Sequence, residues 1–240
     1  MSQLKVDLYK LHKMEYAAKS KPAMVTISKG HYLAIEGHGA PGTEIFTARI
    51  GALFGIAFTA KMTRKFAGGQ DYAVSKLEAQ WWCDGEQDFA AAPKDAWQWK
   101  LLIRTPDFVT KKDVENAAAV LRKRGKGQET ERVRLESIAE GRCVQMLHVG
   151  PYEKESETIA LMKAFAASKG LSFHGRHHEI YLSDPRRVPA ERLKTILRMP
   201  VVAQALLPVP DLQDPRALHH RQECLCHHSV RPRRIPAGKF

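Results

Sequence analysis

The chain has 240 residues, 44% of them hydrophobic and 27% charged, enough to bury the core of one large domain or two small ones. No stretch approaches the roughly 18 consecutive apolar residues of a membrane span, and the N-terminal MSQLKVDLYKLHK has lysines but neither the apolar core nor the cleavage site of a secretory signal. A cytoplasmic protein with no membrane partner is expected, and four cysteines at 83, 143, 224 and 226 make no disulfide framework.

The net charge is +12, from 38 Lys and Arg against 26 Asp and Glu, a balance that suits a nucleic-acid partner. Its distribution points elsewhere. Residues 203–240 hold six of the basic residues and three of the acids, which leaves 32 and 23 for residues 1–202, where the signs are interspersed. The densest basic cluster, Arg122-Lys123-Arg124 with Lys126, falls at the end of a predicted helix, where cations complement the helix dipole. With no helix-turn-helix, zinc-finger or aromatic-basic RNA motif in the chain, no specific nucleic-acid partner is expected. Residues 203–240 also carry five of the 13 prolines, four of the 11 histidines and two of the four cysteines. Such a stretch buries too little apolar surface to offset its ordering entropy, so it is expected to be disordered or adventitious, with the domain spanning residues 1–202. Its His219-His220 and Cys224-Leu225-Cys226-His227-His228 have metal-ligand types, but a Cys-x-Cys spacing unlike that of zinc sites.

Residues 1–22 are lysine-rich yet contain Leu4, Val6, Leu8, Tyr9, Leu11 and Tyr16, so part of this segment is expected to pack against the body. The organisation beyond it rests on an internal repeat at an offset of 111 residues, in which Ile27-Ser28-Lys29-Gly30 matches Ile138-Ala139-Glu140-Gly141. An apolar strand follows each, Tyr32-Leu33-Ala34-Ile35 and Cys143-Val144-Gln145-Met146-Leu147, and each strand reaches a glycine turn, Gly39-Ala40-Pro41-Gly42 and Gly150-Pro151-Tyr152-Glu153. Both turns open a helix. The first runs from the N-cap Thr43 to about Lys65 with a stripe of Phe46, Ile50, Leu53, Phe54 and Ala57. The second runs from Glu153 to about Lys169, turns Ile159, Met162, Phe165 and Ala166 inward, and stops at Gly170. Extended runs at 72–82 and 177–182 come next, with Glu78 and Glu179 as candidate equivalents, and closing strands at 97–103 and 193–198, the latter after a helical turn begun at Pro189. A helix over 110–124, with a capping-box-like Thr110-x-x-Asp113 and Gly125 as its stop, joins the copies. Two strand-helix-strand-strand units, about 23–104 and 134–201, predict an α+β fold with a pseudo-twofold duplicated unit, one antiparallel sheet, helices on one face and a ligand groove on the other.

Three segments carry a family resemblance: Trp81-Trp82, the Ile138-x-x-Gly141 strand leading to His148-Val149-Gly150-Pro151-Tyr152, and His178-Glu179-Ile180-Tyr181-Leu182-Ser183-Asp184-Pro185. Together they resemble the GyrI-like small-molecule-binding proteins over roughly residues 4–201, and the resemblance stops near Val202. It implies a duplicated fold shared with the effector-binding domains of multidrug-sensing transcription regulators. It also implies a pocket between the repeats, lined by aromatics around a buried glutamate that matches Glu179. Some stand-alone members open the strained cyclopropane of DNA-alkylating natural toxins with that glutamate and a nearby aromatic hydroxyl; others inhibit DNA gyrase or sense drugs. The partner so implied is a small aromatic or cationic organic molecule.

The candidate site also stands on its own chemistry. Strand alternation puts Ile180 and Leu182 on one face and Glu179 and Tyr181 on the other, so a carboxylate lies beside a phenol on the face expected to be free of helices. Among aromatics, Glu179 can serve as general base toward water or as counter-charge for a cation. Tyr152, at a strand-to-helix turn, is placed to donate a hydrogen bond to a developing oxyanion. Trp81 and Trp82 point to opposite faces of a regular strand, and Trp82 is favoured for the groove because it shares parity with Glu78. Trp99 is a further lining residue, although with Trp97, Leu101 and Ile103 it also reads as core. The chain has no phosphate loop, Gly-x-Ser-x-Gly elbow or His-Glu-x-x-His motif, and His177-His178-Glu179 sends neighbours to opposite faces, so no cofactor and no metal are expected. Glu179 and Tyr152 are thus the expected catalytic pair, with Trp82, Trp81, Tyr181, Glu78 and Trp99 as ligand contacts. This set fits a hydrolase of a strained electrophile and a non-catalytic drug-binding or gyrase-inhibiting protein alike.

Overall fold

The two glycine turns and the helices they open organise the computed structural model, which describes residues 4–84 and 92–203. Among these residues nine strands build one antiparallel sheet: β1 (Ala23–Ile27), β2 (Gly30–His38), β3 (Glu78–Trp82), β4 (Gln98–Thr105), β5 (Arg134–Ile138), β6 (Gly141–Val149), β7 (Leu171–Phe173), β8 (His177–Tyr181) and β9 (Lys194–Ala203). Five helices accompany it: α1 (Leu8–Leu11), α2 (Lys13–Tyr16), α3 (Glu44–Phe66), α4 (Lys111–Lys123) and α5 (Glu155–Ala167). In the strand order β1-β6-β9-β8-β3-β4-β2-β5, with β7 beside β9, the central β3–β8 pair is flanked by β4 and β2 of the first repeat on one side and by β9 and β6 of the second on the other. The expected α+β fold with its duplicated unit is the observed one.

One feature of that order lies beyond local pattern. β1 runs into β2 through Ser28 and Lys29, yet pairs with β6 of the second unit; β5 runs into β6 and pairs with β2 of the first. The two units exchange their first strands. Because such short links join strands that are far apart in the order, the sheet curls until its two ends approach each other at those links.

Helices cover the outer face. α3 lays Phe46, Leu53, Ile56, Ala57 and Ala60 on Leu33, Ile35, Ala79, Trp81, Trp99, Leu101 and Ile103, and α4 adds Val114, Ala117 and Leu121. On the second unit α5 packs Ile159, Met162 and Ala166 against Val144, Met146, Leu197 and Met199. The starts of these elements follow local chemistry. Thr43 Oγ1 accepts the Phe46 N–H at 3.3 Å, and Thr110 and Asp113 form the reciprocal capping box of α4. By length and composition α3 would cross a bilayer, but its stripe is core and its Arg49 and Arg64 pair with Glu129 at 3.0 Å and Asp113 at 3.1 Å.

The inner face of the curl receives the N-terminal segment, as the apolar residues of 1–22 suggested. Tyr16 packs on Ile180 and Ile196, and its hydroxyl donates to Glu78 at 3.0 Å. Glu15 accepts from Arg104 at 2.7 Å, while Arg198 donates to the Glu15 carbonyl at 2.6 Å and to Glu140 at 3.1 Å. His178 stands between Glu140 at 2.8 Å and Glu78 at 3.1 Å. Burial alone would lower the pKa of His178, but Glu140 and Glu78 raise it to about 9; burial likewise opposes ionisation of Glu140, but His178 and Arg198 hold it down at about 2. Three acids and three cations thus neutralise one another away from water, the condition under which buried charges are tolerated.

Registers refine the expected equivalences. Leu102 faces Glu78, and Arg198 faces His178, in ladders whose partners Leu101 and Leu197 occupy matching places opposite Ile35 and Met146. Glu78 is therefore the counterpart of His178, and Ala79 of Glu179. The expected match of Glu78 with Glu179 is off by one position, and a one-residue shift in a strand exchanges faces. Of the extended run at 72–82 only Glu78–Trp82 is strand; Tyr72 makes an isolated bridge to Val6. The expectation for the tail, with its His and Cys cluster, falls beyond Ala203 and outside the described residues.

Candidate functional site

Between α3 and α5 the central strand pair presents Ala79 and Trp81 from β3 and His177, Glu179 and Tyr181 from β8. Ala79 and Trp81 belong to the core under α3, and Ala79 is paired directly with Glu179, so the carboxylate shares that face. Alternation separates Glu179 and Tyr181 from Ile180 as expected, but it sends them to the helix-covered side and not to the helix-free one. Parity alone does not say which face meets the helices. The curl turns the other face inward, where Tyr16 occupies it.

Glu179 is 7% exposed and three groups converge on it. His177 Nε2 stands 3.3 Å from its Oε1. The Tyr181 hydroxyl donates to it, and Tyr181 Oη in turn accepts from Trp81 Nε1 at 3.3 Å. Glu155, at the start of α5 and also 7% exposed, shares a hydrogen bond with it and a second with Thr195 on β9. Burial, and then the charge of Glu179, push the Glu155 carboxyl well above the usual carboxylate range and the Tyr181 phenol well above its own. Tyr152 is raised to about 12 by burial and next by Glu155.

Aromatic rings wall this cluster. Phe46, from the first turn of α3, stacks on Trp81 with centroids 5.9 Å apart; Trp97 meets Trp81 edge-on at 5.6 Å, and Tyr152 meets Tyr181 edge-on at 5.9 Å. Tyr152 lies in a short 3-10 turn, Tyr152–Lys154, between the glycine turn and α5, which holds it beside the carboxyls. Gly150 has a φ of +141°, a conformation that favours glycine at that turn.

Of the residues expected from the sequence, the fold brings Glu179, Tyr152, Tyr181 and Trp81 together. It does not bring Glu78, Trp82 or Trp99. Glu78 and Trp82 have the opposite parity on β3: Glu78 is bonded to Tyr16 inside the curl, and Trp82 lies under the Arg176 guanidinium at 3.5 Å. The preference for Trp82 over Trp81 followed from equating Glu78 with Glu179, and falls with it. Trp99 is fully buried against Phe46 at 5.0 Å, with its Nε1 donating to the Gly39 carbonyl, and is core. Two site residues were missed. His177 has the parity of Glu179 two positions away, a signal hidden by weighing only adjacent residues. Glu155 carries no such signal, because a glutamate in the first turn of a helix is ordinarily a solvated complement to the dipole.

The ligand atoms of Glu155, His177 and Glu179 lie within 4.8 Å of one another. That span would admit one divalent cation of the kind that takes imidazole and carboxylate donors. A proton held between the two carboxyls meets the same geometry with no added group, and the bonding already present runs that way.

Residues 21–202 match the GyrI-like small molecule binding domain. The chain is similar to an uncharacterized conserved protein from Listeria innocua, with 40% identity and a TM-score of 0.77 over 82% of this chain and 100% of the other. It is similar also to a protein from Listeria innocua described as a hydrolase, with 39% identity and a TM-score of 0.74 over the same shares, 82% and 100%. The C-terminal domain of EcmrR shares the fold alone, at 12% identity and a TM-score of 0.50 over 76% of this chain and 98% of that domain. No curated protein matches.

Proposed function

Since the chain belongs to the GyrI-like small-molecule-binding family, we propose that it binds a planar, largely apolar molecule among Phe46, Trp81, Trp97, Tyr152 and Tyr181 and hydrolyses a strained electrophile, the cyclopropane ring of a DNA-alkylating toxin. The observation that carries this reading is a buried carboxylate, Glu179, set among aromatic rings with a phenol, Tyr152, alongside. The 39% identity to a Listeria innocua protein described as a hydrolase supports it. Water attacks the ring methylene while Glu179 takes its proton; the strained C–C bond breaks and its electron pair moves onto the conjugated carbonyl oxygen. Tyr152, still protonated at neutral pH because its pKa lies near 12, donates a hydrogen bond to that oxygen as charge develops there. Toxin removal before DNA is reached fits a cytoplasmic protein whose working unit is residues 1–202.

The test is incubation with a cyclopropane-bearing DNA alkylator, followed by mass-spectrometric detection of the ring-opened, water-added product. Wild-type protein is expected to form it, and Glu179→Gln to lower kcat by about 100-fold or more. Saturable binding without product would remove the hydrolase reading and leave a sequestering or gyrase-inhibiting role. Undiminished turnover in the variant would remove Glu179 as base.

A further inference from the structure

Glu155 is the one buried carboxyl at this site that the mechanism above leaves idle, and its surroundings are those of an acid. It reaches Glu179 from a different element, the first turn of α5, and is more than nine-tenths buried. No neighbouring donor reaches its Oε1. The groups around it are Tyr152 and Glu153 from the turn before the helix, His177, Glu179 and Tyr181 from β8, and Thr195 from β9. Two of these are carboxyls that would repel a second negative charge. Two carboxyls in contact and away from water cannot both ionise, and the arrangement that satisfies them is a single proton between them.

We infer that Glu155 and Glu179 form a one-proton carboxyl pair in which Glu155 is the catalytic acid. The inference rests on the hydrolase reading and completes its proton balance. As water adds to the ring carbon, its proton passes to Glu179. The electron pair of the breaking C–C bond arrives on the carbonyl oxygen, held by Tyr152, and that oxygen takes the Glu155 proton. The pair then holds one proton on Glu179 and none on Glu155, and transfer across their hydrogen bond restores the starting form. One water is added and no proton is consumed. Tyr181, whose hydroxyl donates to Glu179 while accepting from Trp81, and His177, 3.3 Å from Glu179, keep Glu179 as the receiving partner.

Two measurements test this. Infrared difference spectroscopy of the protein without ligand, at neutral pH, is expected to show a buried carboxylic-acid C=O band that disappears in Glu155→Gln; absence of the band in wild-type protein overturns the shared proton. With the cyclopropane probe, Glu155→Gln is expected to lower kcat about 100-fold with KM within about twofold, and to abolish the high-pH limb of the rate profile, because the acid must hold its proton to act. A wild-type kcat and an unchanged limb in that variant overturn the acid role. Should Glu155→Gln fail to fold, Thr195→Val serves instead. The Thr195 hydroxyl favours the ionised form of Glu155, so its loss is expected to move the limb to higher pH, and an unmoved limb overturns the assignment. Failure of the wild-type protein to open the ring overturns the hydrolase reading itself, and the infrared band then decides the pairing independently.

Discussion

Ala79 and Glu179 face each other directly across the β3–β8 ladder, at the point where the two repeats meet. They are counterparts in the duplicated fold, so one unit contributes a carboxylate and the other a methyl group at the same place. The small residue sets only a methyl group against the carboxylate. Ala79→Leu is expected to cost about 1–3 kcal/mol of stability by overpacking a fully buried position, and to weaken ligand binding at least tenfold. A urea titration and a fluorescence titration with the same ligand measure the two effects; an unchanged affinity would show that the ligand sits elsewhere.

Trp81 acts through its ring and its N–H. In Trp81→Phe the ring contact with Phe46 and Trp97 survives, while the donor to Tyr181 is lost. The expected loss is about 1 kcal/mol in thermal unfolding, together with a lower kcat at little-changed affinity, since Tyr181 is less firmly oriented toward Glu179. Loss of affinity with kcat preserved would assign Trp81 to stacking alone.

His178 makes stability depend on pH. Its folded pKa of about 9 lies above the ordinary value of 6.5, so its contribution is complete below about pH 6.5 and is lost as pH rises through 9. The groups facing it are Glu78, Glu140 and, through Glu140, Arg198. Melting temperature is expected to fall across that window by the equivalent of roughly 3 kcal/mol, and a His178→Gln protein, less stable throughout, is expected to lack the slope. A flat wild-type profile between those pH values would count against a charged His178.

Glu15 anchors the N-terminal segment against Arg104, which is 3% exposed. Removing one partner of a buried pair leaves the other uncompensated, so Glu15→Ala is expected to cost about 3–5 kcal/mol in a urea titration. Glu15→Gln, which keeps its one carbonyl oxygen as acceptor for Arg104 and turns its NH2 as a donor toward the Ser28 hydroxyl, is expected to lose less. Equal and small losses in both would mean that the segment is held by Tyr16 and its apolar contacts.

What the sequence made legible was local. The Thr43 cap, the Thr110-Asp113 box and the glycine turns each involve residues a few positions apart, and their chemistry does not depend on the rest of the chain. Glu179, Tyr152 and Tyr181 were legible from alternation and family resemblance. The side of the sheet on which Glu179 lies was not, because it depends on β1 pairing with β6, more than a hundred residues away. Glu155 was hidden for a related reason: its burial comes from β8 and β9, which arrive after it in the chain. Glu78 read as a ligand contact until the inward face of the curl gave it Tyr16 as a partner, and the pairing of His178 with Glu140 had no signal in the sequence.

The exchanged first strands bear on how the molecule assembles. Neither repeat can finish its own portion of the sheet, since the strand that completes it belongs to the other half of the chain. Pairings of such long sequence separation carry a large loop-closure cost before they return any stabilisation, which slows folding and makes its last step cooperative. A chain cut between α4 and β5 would therefore yield two pieces that are each incomplete but mutually complementary, and the native sheet should return only when the pieces are mixed before either has been allowed to aggregate.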